Sequence, residues 1–380
     1  MEMNGFMKAS FTSMMVLGLS ALCIEAAHAQ TAIYPAIRYL SPYSQSLGGV
    51  SLPLSDDIGN SLFNNPAGLA RSGKFKAEFL NLDADLGGAT LGAIGTGMTG
   101  LGGMSTTLNQ NPNVTYTEGF SNLTALSWGG FGVGILYQDR VRAYSDGTDA
   151  HYDTLQDFIP AVGYGLSLAR GVIRLGYSLQ YINEASGTAS SVSNNTASFL
   201  SGLNQGHGFS STASVNFVFP YMYLPTFSLV GRNIGGLHFT NGSMMTGATN
   251  VSGLPSDQET SIDAGFNWTV RLSNSLKSYW FVEYDDVTDT VSLPIFEKIR
   301  FGVELDLTQS FNVRAGTTGA QFSGGIGFKS ESSEINVTLY RDRSEFPANG
   351  YWDTRYALQY KVFFKAHNSR DREAESKGTP

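Results

Sequence analysis

Cysteine, charge and long apolar runs are all scarce in this sequence of 380 residues. The single cysteine, Cys23, lies in an N-terminal segment with the features of a secretory signal, so the remainder carries no thiol. Disulfides, cysteine nucleophiles and thiolate metal sites are therefore excluded beyond that segment. Charged residues make up 15%, against about 25% in ordinary soluble proteins. After residue 30 no apolar run reaches the roughly 18 residues of a spanning helix.

Alternation of polar and apolar residues is what the sequence has in abundance. In a closed sheet, half of each strand faces lipid and half faces water, which reconciles low charge with the lack of spanning helices. The last such run, 351–364, is the clearest. One face carries Trp352, Tyr356, Leu358, Tyr360, Val362 and Phe364, and the other carries Asp353, Arg355, Gln359 and Lys361. Aromatic residues end the apolar face on both sides, as at two membrane interfaces.

We predict an all-β fold, a transmembrane antiparallel β-barrel of about 14 strands. The alternating runs are 74–86, 117–128, 131–144, 156–169, 172–185, 207–219, 225–233, 260–271, 276–287, 297–307, 311–318, 320–329, 333–342 and 351–364. The links that follow even-numbered runs are short, and those that follow odd-numbered runs are mostly long and polar. Outer-membrane barrels show this alternation of short inner turns and long outer loops, together with an even strand count.

Four segments are predicted along the chain. Residues 1–29 are a signal peptide with the small-x-small cleavage site Ala27-His28-Ala29. Residues 30–73 are an N-terminal plug, since their apolar side chains need a surface to bury against. Residues 74–364 are the barrel, and 365–380 are a disordered periplasmic tail. A periplasmic extension is the alternative for 30–73.

Candidate sites follow from these faces. Charged residues opposite the apolar faces predict a lumen network of Arg174, Asp263, Glu283, Arg300, Glu304 and Arg314. Such a network either braces the wall or selects ions at a constriction. Two loop stretches have apolar residues at roughly helical spacing and predict either a lid or an outer entry site. The residues are Leu91, Ile94, Met98, Leu101, Phe199 and Leu200.

The segment SLFNNPAGLARSGKF (61–75), directly before the first run, is the most specific motif. Proline's fixed φ and the asparagine side chains define a turn there. In this position it resembles the long-chain fatty acid transporter (FadL, or OmpP1) superfamily of outer-membrane barrels. LVGRNIGG (229–236) and EYDDVTDT (283–290) are similar to related barrels. The residues that would form the plug and contact the ligand are Phe63, Asn65, Pro66, Ala67 and Leu69.

The resemblance implies passive uptake of hydrophobic compounds through a plugged barrel in the bacterial outer membrane, without enzymatic chemistry, cofactor or metal. The expected partners are outer-membrane lipid, a hydrophobic small molecule and the barrel assembly machinery. The net charge of -8 disfavours nucleic acid. Two alternatives remain: a barrel that anchors or partners a secretion or conjugation system, and a general porin. The sequence departs from the family in having 16 residues after Phe364.

Overall fold

The structure is a computed structural model, and the account below concerns the residues that it describes. These are 39–52, 57–95, 108, 111–112, 114–145, 149–191, 202–221, 223–242, 248, 250–273, 276–291, 293–319, 321–343 and 352–365. The predicted signal peptide and residues 366–380 of the predicted tail lie outside these ranges.

Fourteen antiparallel strands form a closed barrel, and each strand pairs with its neighbours in the chain. The strands are β1 Lys76–Gly87, β2 Tyr116–Trp128, β3 Phe131–Ser145, β4 Ala150–Leu168, β5 Ile173–Ser191, β6 Asn204–Val218, β7 Thr226–Arg232, β8 Ser261–Arg271, β9 Lys277–Tyr284, β10 Ile299–Asp306, β11 Phe311–Thr318, β12 Gln321–Lys329, β13 Ser333–Arg343 and β14 Trp352–Lys365. Strand β14 pairs with β1 and closes the sheet, for example at Leu82 and Tyr360. The predicted fold class is confirmed.

Short helices precede and interrupt the strands. The α-helices are α1 Pro42–Ser46, α2 Ile58–Phe63, α3 Gly88–Gly95 and α4 Ile295–Lys298, and the 3-10 helices are η1 Pro66–Arg71 and η2 Ala169–Gly171. Asp57 caps α2, because its carboxylate accepts the N–H of Gly59 at 2.8 Å. Within the described part of the chain, no helix has both the length and the apolar character needed to cross a membrane.

The outward faces carry the predicted apolar residues. On β14, Tyr356, Leu358, Tyr360 and Phe364 are exposed and Val362 is half-buried, whereas the alternate residues Ala357, Gln359, Lys361 and Phe363 are buried. Strand β1 departs from strict alternation at a bulge between Glu78 and Leu80. As a result the phase of the strand shifts, and Phe79 is 57% exposed on the outer face.

Strand length divides the barrel into two sides of different height. Strands β4 and β5 have 19 residues each, whereas β9, β10 and β11 have 8 each. At about 3.3 Å per residue these lengths correspond to about 63 Å and about 26 Å along the strand. We call β3–β6 the tall wall and β9–β12 the low wall.

Two of the long links between strands fold back onto the barrel. The link after β7 enters the interior, where Leu237 and Phe239 join the same buried cluster as Leu62. The link after β1 takes the opposite side of the sheet. Helix α3 there contributes Ala93 to a cluster with Val141 and Ala143, which alternate in phase with the exposed Ile135 of the same strand.

Candidate functional site: the plugged lumen

The segment before β1 lies against inward-facing residues of many strands. We call residues 39–52 and 57–71 the plug. The hydroxyl of Thr338 on β13 donates to the carbonyl of Pro42 at 2.7 Å, and the amide of Gln180 on β5 donates to the carbonyl of Phe63 at 3.1 Å. The plug is therefore bonded to both sides of the lumen.

Glycines in the tall wall allow the backbone of the plug to approach the sheet. A Cβ added at Gly176 would lie 2.0 Å from the amide nitrogen of Ala67, and one at Gly165 would lie 2.3 Å from that of Ala70. Only glycine permits contacts this close. The N–H of Ala67 is also satisfied, since it donates to the hydroxyl of Ser214 at 2.7 Å.

The Asn-Asn-Pro sequence connects the pieces of the plug to one another. The Asn64 amide donates to the carbonyl of Tyr39 at 2.7 Å, and the Asn65 amide donates to the carbonyl of Leu52 at 2.5 Å. Pro66 begins η1, where its missing N–H leaves no intrahelical bond unmade. The turn predicted from the sequence is thus the junction that holds the earlier segments in place.

Apolar side chains fill the side of the lumen formed by β2–β5, which we call the apolar side. The plug contributes Tyr39, Leu62, Phe63 and Leu69, and the wall contributes Leu123, Leu136, Ile159 and Ile182. Leu69 lies at the level of Gly132 and Gly163 near the short turns, whereas Leu237 lies at the level of Gly208, which pairs with Ile182. The apolar contacts therefore run in a column from the end of the barrel with the short turns towards the end with the long links.

Acidic and basic side chains fill the opposite side, on β9–β11, which we call the charged side. The carboxylate of Glu283 accepts the N–H of Ser51 at 2.7 Å and that of Leu52 at 2.8 Å. The Ser51 hydroxyl donates to it at 3.0 Å. Arg300 donates to the carbonyl of Gly49 and pairs with Asp285. Charge-assisted hydrogen bonds of this kind are roughly twice as strong as neutral ones.

Further charges extend this arrangement around the lumen. Arg314 lies 3.9 Å from Glu304, and its guanidinium stacks 4.5 Å from the ring centre of Tyr43 in the plug. Lys361 on β14 pairs with the helix-capping Asp57. The plug is thus held electrostatically from β9 round to β14.

Hydrogen bonds to carboxylates also anchor two of the long links. Asp263 on β8 accepts the N–H of Asp286 at 2.7 Å, which anchors the link after β9. In the link after β7, the Asp257 carboxylate accepts hydrogen bonds from Nδ1 of His238 at 2.7 Å and from the N–H of Phe239 at 3.1 Å. The hydrogen bond from His238, followed by that from Phe239, lowers the pKa of the Asp257 carboxyl.

The structure places the sequence-predicted residues in several groups. Four of the five predicted plug residues lie together against the tall wall: Asn65, Pro66 and Ala67 with Leu69; Phe63 packs one turn away in the same buried cluster. Of the predicted lumen network, Asp263, Glu283 and Arg300 lie on adjacent strands around the plug, and Glu304 with Arg314 form a second group. Arg174 stands apart, half-buried on β5 near the short turn.

Only two of the six residues of the predicted outer entry site lie within the described part of the chain. Leu91 and Ile94 lie on α3 and are 38% and 43% exposed. Met98, Leu101, Phe199 and Leu200 lie outside the described residues. The sequence interpretation overlooked Leu237 and Phe239, and it overlooked the inward glycines. Glycine recurring in phase with the polar face of a strand is the signal that could have revealed the close approach of the plug.

Comparisons with known proteins bear on the fold. No protein-family model matches the chain, and neither does any curated protein. Among solved structures, the chain is similar to the CymD monoaromatic hydrocarbon channel, with a TM-score of 0.51 and 11% identity over 87% of this chain and 99% of that one. It is also similar to the TodX deltaS2S3 mutant monoaromatic hydrocarbon channel, with a TM-score of 0.51 and 11% identity over 86% and 99%. The chain therefore has the barrel fold of these channels, which confirms the predicted resemblance at the level of fold.

Proposed function

We propose that this chain is a bacterial outer-membrane protein that takes up hydrophobic compounds passively through its plugged barrel. The apolar column of the lumen is the observation that carries the proposal. It brings Leu69, Leu62, Phe63 and Leu237 into one buried cluster between the short turns and the outer loops. A hydrophobic molecule that parts this column exchanges one apolar contact for another, so its passage exposes little apolar surface to water.

The described conformation is the closed state in this proposal. Leu62, Leu69 and Leu237 have no exposed surface, so passage requires the plug or the link after β7 to move. The charged side retains the plug by directional bonds such as those of Glu283, while the apolar side separates. The fold shared with CymD and TodX, both described as monoaromatic hydrocarbon channels, supports a cargo of this chemical class.

The test uses cells with an intact outer membrane that either express the chain or lack it. We measure entry of the uncharged fluorescent probe N-phenylnaphthylamine, and in parallel the hydrolysis of nitrocefin by a periplasmic β-lactamase. The proposal expects faster entry of the uncharged probe with unchanged nitrocefin hydrolysis. Acceleration of both would identify a general porin, and acceleration of neither would contradict uptake.

A second function is favoured by how completely the plug and the charged network occupy the described lumen. Buried side chains of Arg314, Arg355 and Arg232 lie inside with exposures of 2% or less. A barrel packed in this way would suit an anchor or partner of a secretion or conjugation system. That function predicts that neither probe enters faster and that the chain copurifies with a secretion-system protein.

A further inference from the structure

A groove on the outer surface of the wall, away from the lumen, lies where β12, β13 and β14 meet. Its volume is about 370 Å³, and its lining includes Phe322, Gly324, Leu339, Arg341 and Thr354. Phe322 is 56% exposed and Leu339 is 48% exposed. They belong to the outward apolar faces of β12 and β13, so the groove opens towards lipid.

The absence of a side chain at Gly324 creates the groove. Gly324 pairs with Leu339 across the two strands. A Cβ added at Gly324 would meet nothing closer than the carbonyl oxygen of Arg314 at 3.5 Å, which is ordinary van der Waals contact. The flanking outward residues of β12, Phe322 and Ile326, are both exposed and bulky. The slot between them has the width of one missing side chain and suits a linear hydrocarbon chain.

Arginine stands at the outer-loop end of this slot. Along β13 the outward residues are Ile335, Val337 and Leu339, all exposed and apolar, and the next in phase is Arg341. The side chain of Arg341 is exposed, and no carboxylate pairs with it among the residues that the structure describes. An unpaired guanidinium at the edge of an apolar band is placed to bind an anionic headgroup, because its fork of donors matches phosphate geometry.

We propose that this groove binds one phosphate-bearing lipid of the leaflet that faces the long loops. One acyl chain lies over Gly324 between Phe322 and Ile326, beside Leu339, and the phosphate accepts hydrogen bonds from Arg341. The inference rests on the membrane location in the proposed function but not on uptake, since the groove lies outside the lumen. It defines a lipid site on the wall that is separate from the path of the cargo.

The test is native mass spectrometry of the full chain in maltoside micelles titrated with phosphatidic acid or with diacylglycerol of the same acyl chains. We expect one phosphatidic acid to be retained about tenfold more tightly than diacylglycerol. Arg341→Gln is expected to remove this preference. Gly324→Leu is expected to weaken both lipids by a similar factor, because it fills the slot without disturbing the sheet.

Lys329→Gln is the matched control. Lys329 is also exposed on this strand pair but lies at the opposite end of β12, so its loss leaves binding unchanged. Equal retention of both lipids by the wild-type chain would overturn the proposal, as would an equal loss in the Lys329 and Arg341 variants. Displacement by inorganic phosphate at equal concentration would show that a free anion, and not a lipid, is the ligand. None of these outcomes depends on whether the barrel transports anything.

Discussion

On the apolar side of the lumen the plug meets glycines and aliphatic side chains, whereas on the charged side it meets carboxylates and guanidinium groups. Contacts such as that of Leu62 with Gly134 and Gly163 are non-directional. Those of Glu283 with Ser51 and Leu52 are directional and cannot be replaced by apolar groups of a passing molecule. The comparison suggests a division of roles: the charged side fixes where the plug sits, and the apolar side is where it separates from the wall.

The largest expected effect comes from closing the space that the plug occupies at the tall wall. Gly176→Val places a side chain where the backbone of Pro66 and Ala67 lies, and a backbone clash cannot be relieved by a rotamer change. We expect a loss of about 3 kcal/mol or more in stability, with a large rise in ion conductance in planar bilayers. Gly324→Val, at an outward position, is the control and should leave conductance unchanged. Unchanged conductance in Gly176→Val would mean that η1 does not contribute to the seal.

The next largest effect is expected from shortening a buried side chain on the apolar side of the lumen. Leu62→Ala removes a fully buried side chain, and we expect a cost of about 2–3 kcal/mol from lost transfer energy and the cavity. Entry of an uncharged probe should rise while ion conductance changes little, because the new space is lined by apolar groups. Leu179→Ala, at an exposed position on the outward face of β5, is the control. If ion conductance rose as much as in Glu283→Gln, the proposed difference in role between the two sides would be contradicted.

Weakening the charged side should cost less in stability but should affect ions more. Glu283→Gln replaces an acceptor of three hydrogen bonds with an amide that has one oxygen, which leaves a buried donor unsatisfied at about 1–3 kcal/mol. We expect brief openings in single-channel recordings. Glu259→Gln, at an exposed loop position, should give recordings like those of the wild type.

The smallest effect is expected at the loop that closes the apolar column. Because hydrogen bonds from His238 and Phe239 lower the pKa of Asp257, its contribution is complete above the ordinary carboxyl pKa of about 3.9 and is lost as the pH falls through the lowered value. The protection of the Phe239 amide, which is the ratio of its intrinsic to its observed exchange rate, should therefore decrease below about pH 4 in the wild type. In Asp257→Asn the exchange should be fast throughout. If the protection of Phe239 in the wild type did not depend on pH, the proposed role of the Asp257 carboxylate would be refuted.

The sequence predicts the barrel well because strand periodicity and turn spacing are local properties. The strand β11 has the predicted bounds, 311–318, and β14 the predicted phase. Strands β4 and β5 extend beyond the predicted runs by several residues. The added part of β4 contributes Ala150 and Tyr152 to the cluster that contains Ala93 of α3. The exposure of Phe79 was not predicted, because a bulge shifts the phase of β1 and composition does not reveal the bulge.

The site was less predictable because it depends on which strands face each other across the lumen. The types of residue in the network were visible, but the separation of Arg174 from Glu283 follows only from the closed order of the strands. Likewise, the inward path of Leu237 depends on contacts with the plug, far away in the sequence. Whether Phe63 and Leu69 contact a cargo stays a prediction.

The close backbone approach of the plug to Gly176 on one flank and to Gly316 on the other has a consequence for biogenesis. A Cβ at Gly316 would lie 2.1 Å from the carbonyl carbon of Leu47, so the backbone of the plug is in close contact with the wall on both flanks. We therefore expect the N-terminal segment to take its place before β1 pairs with β14 and closes the barrel.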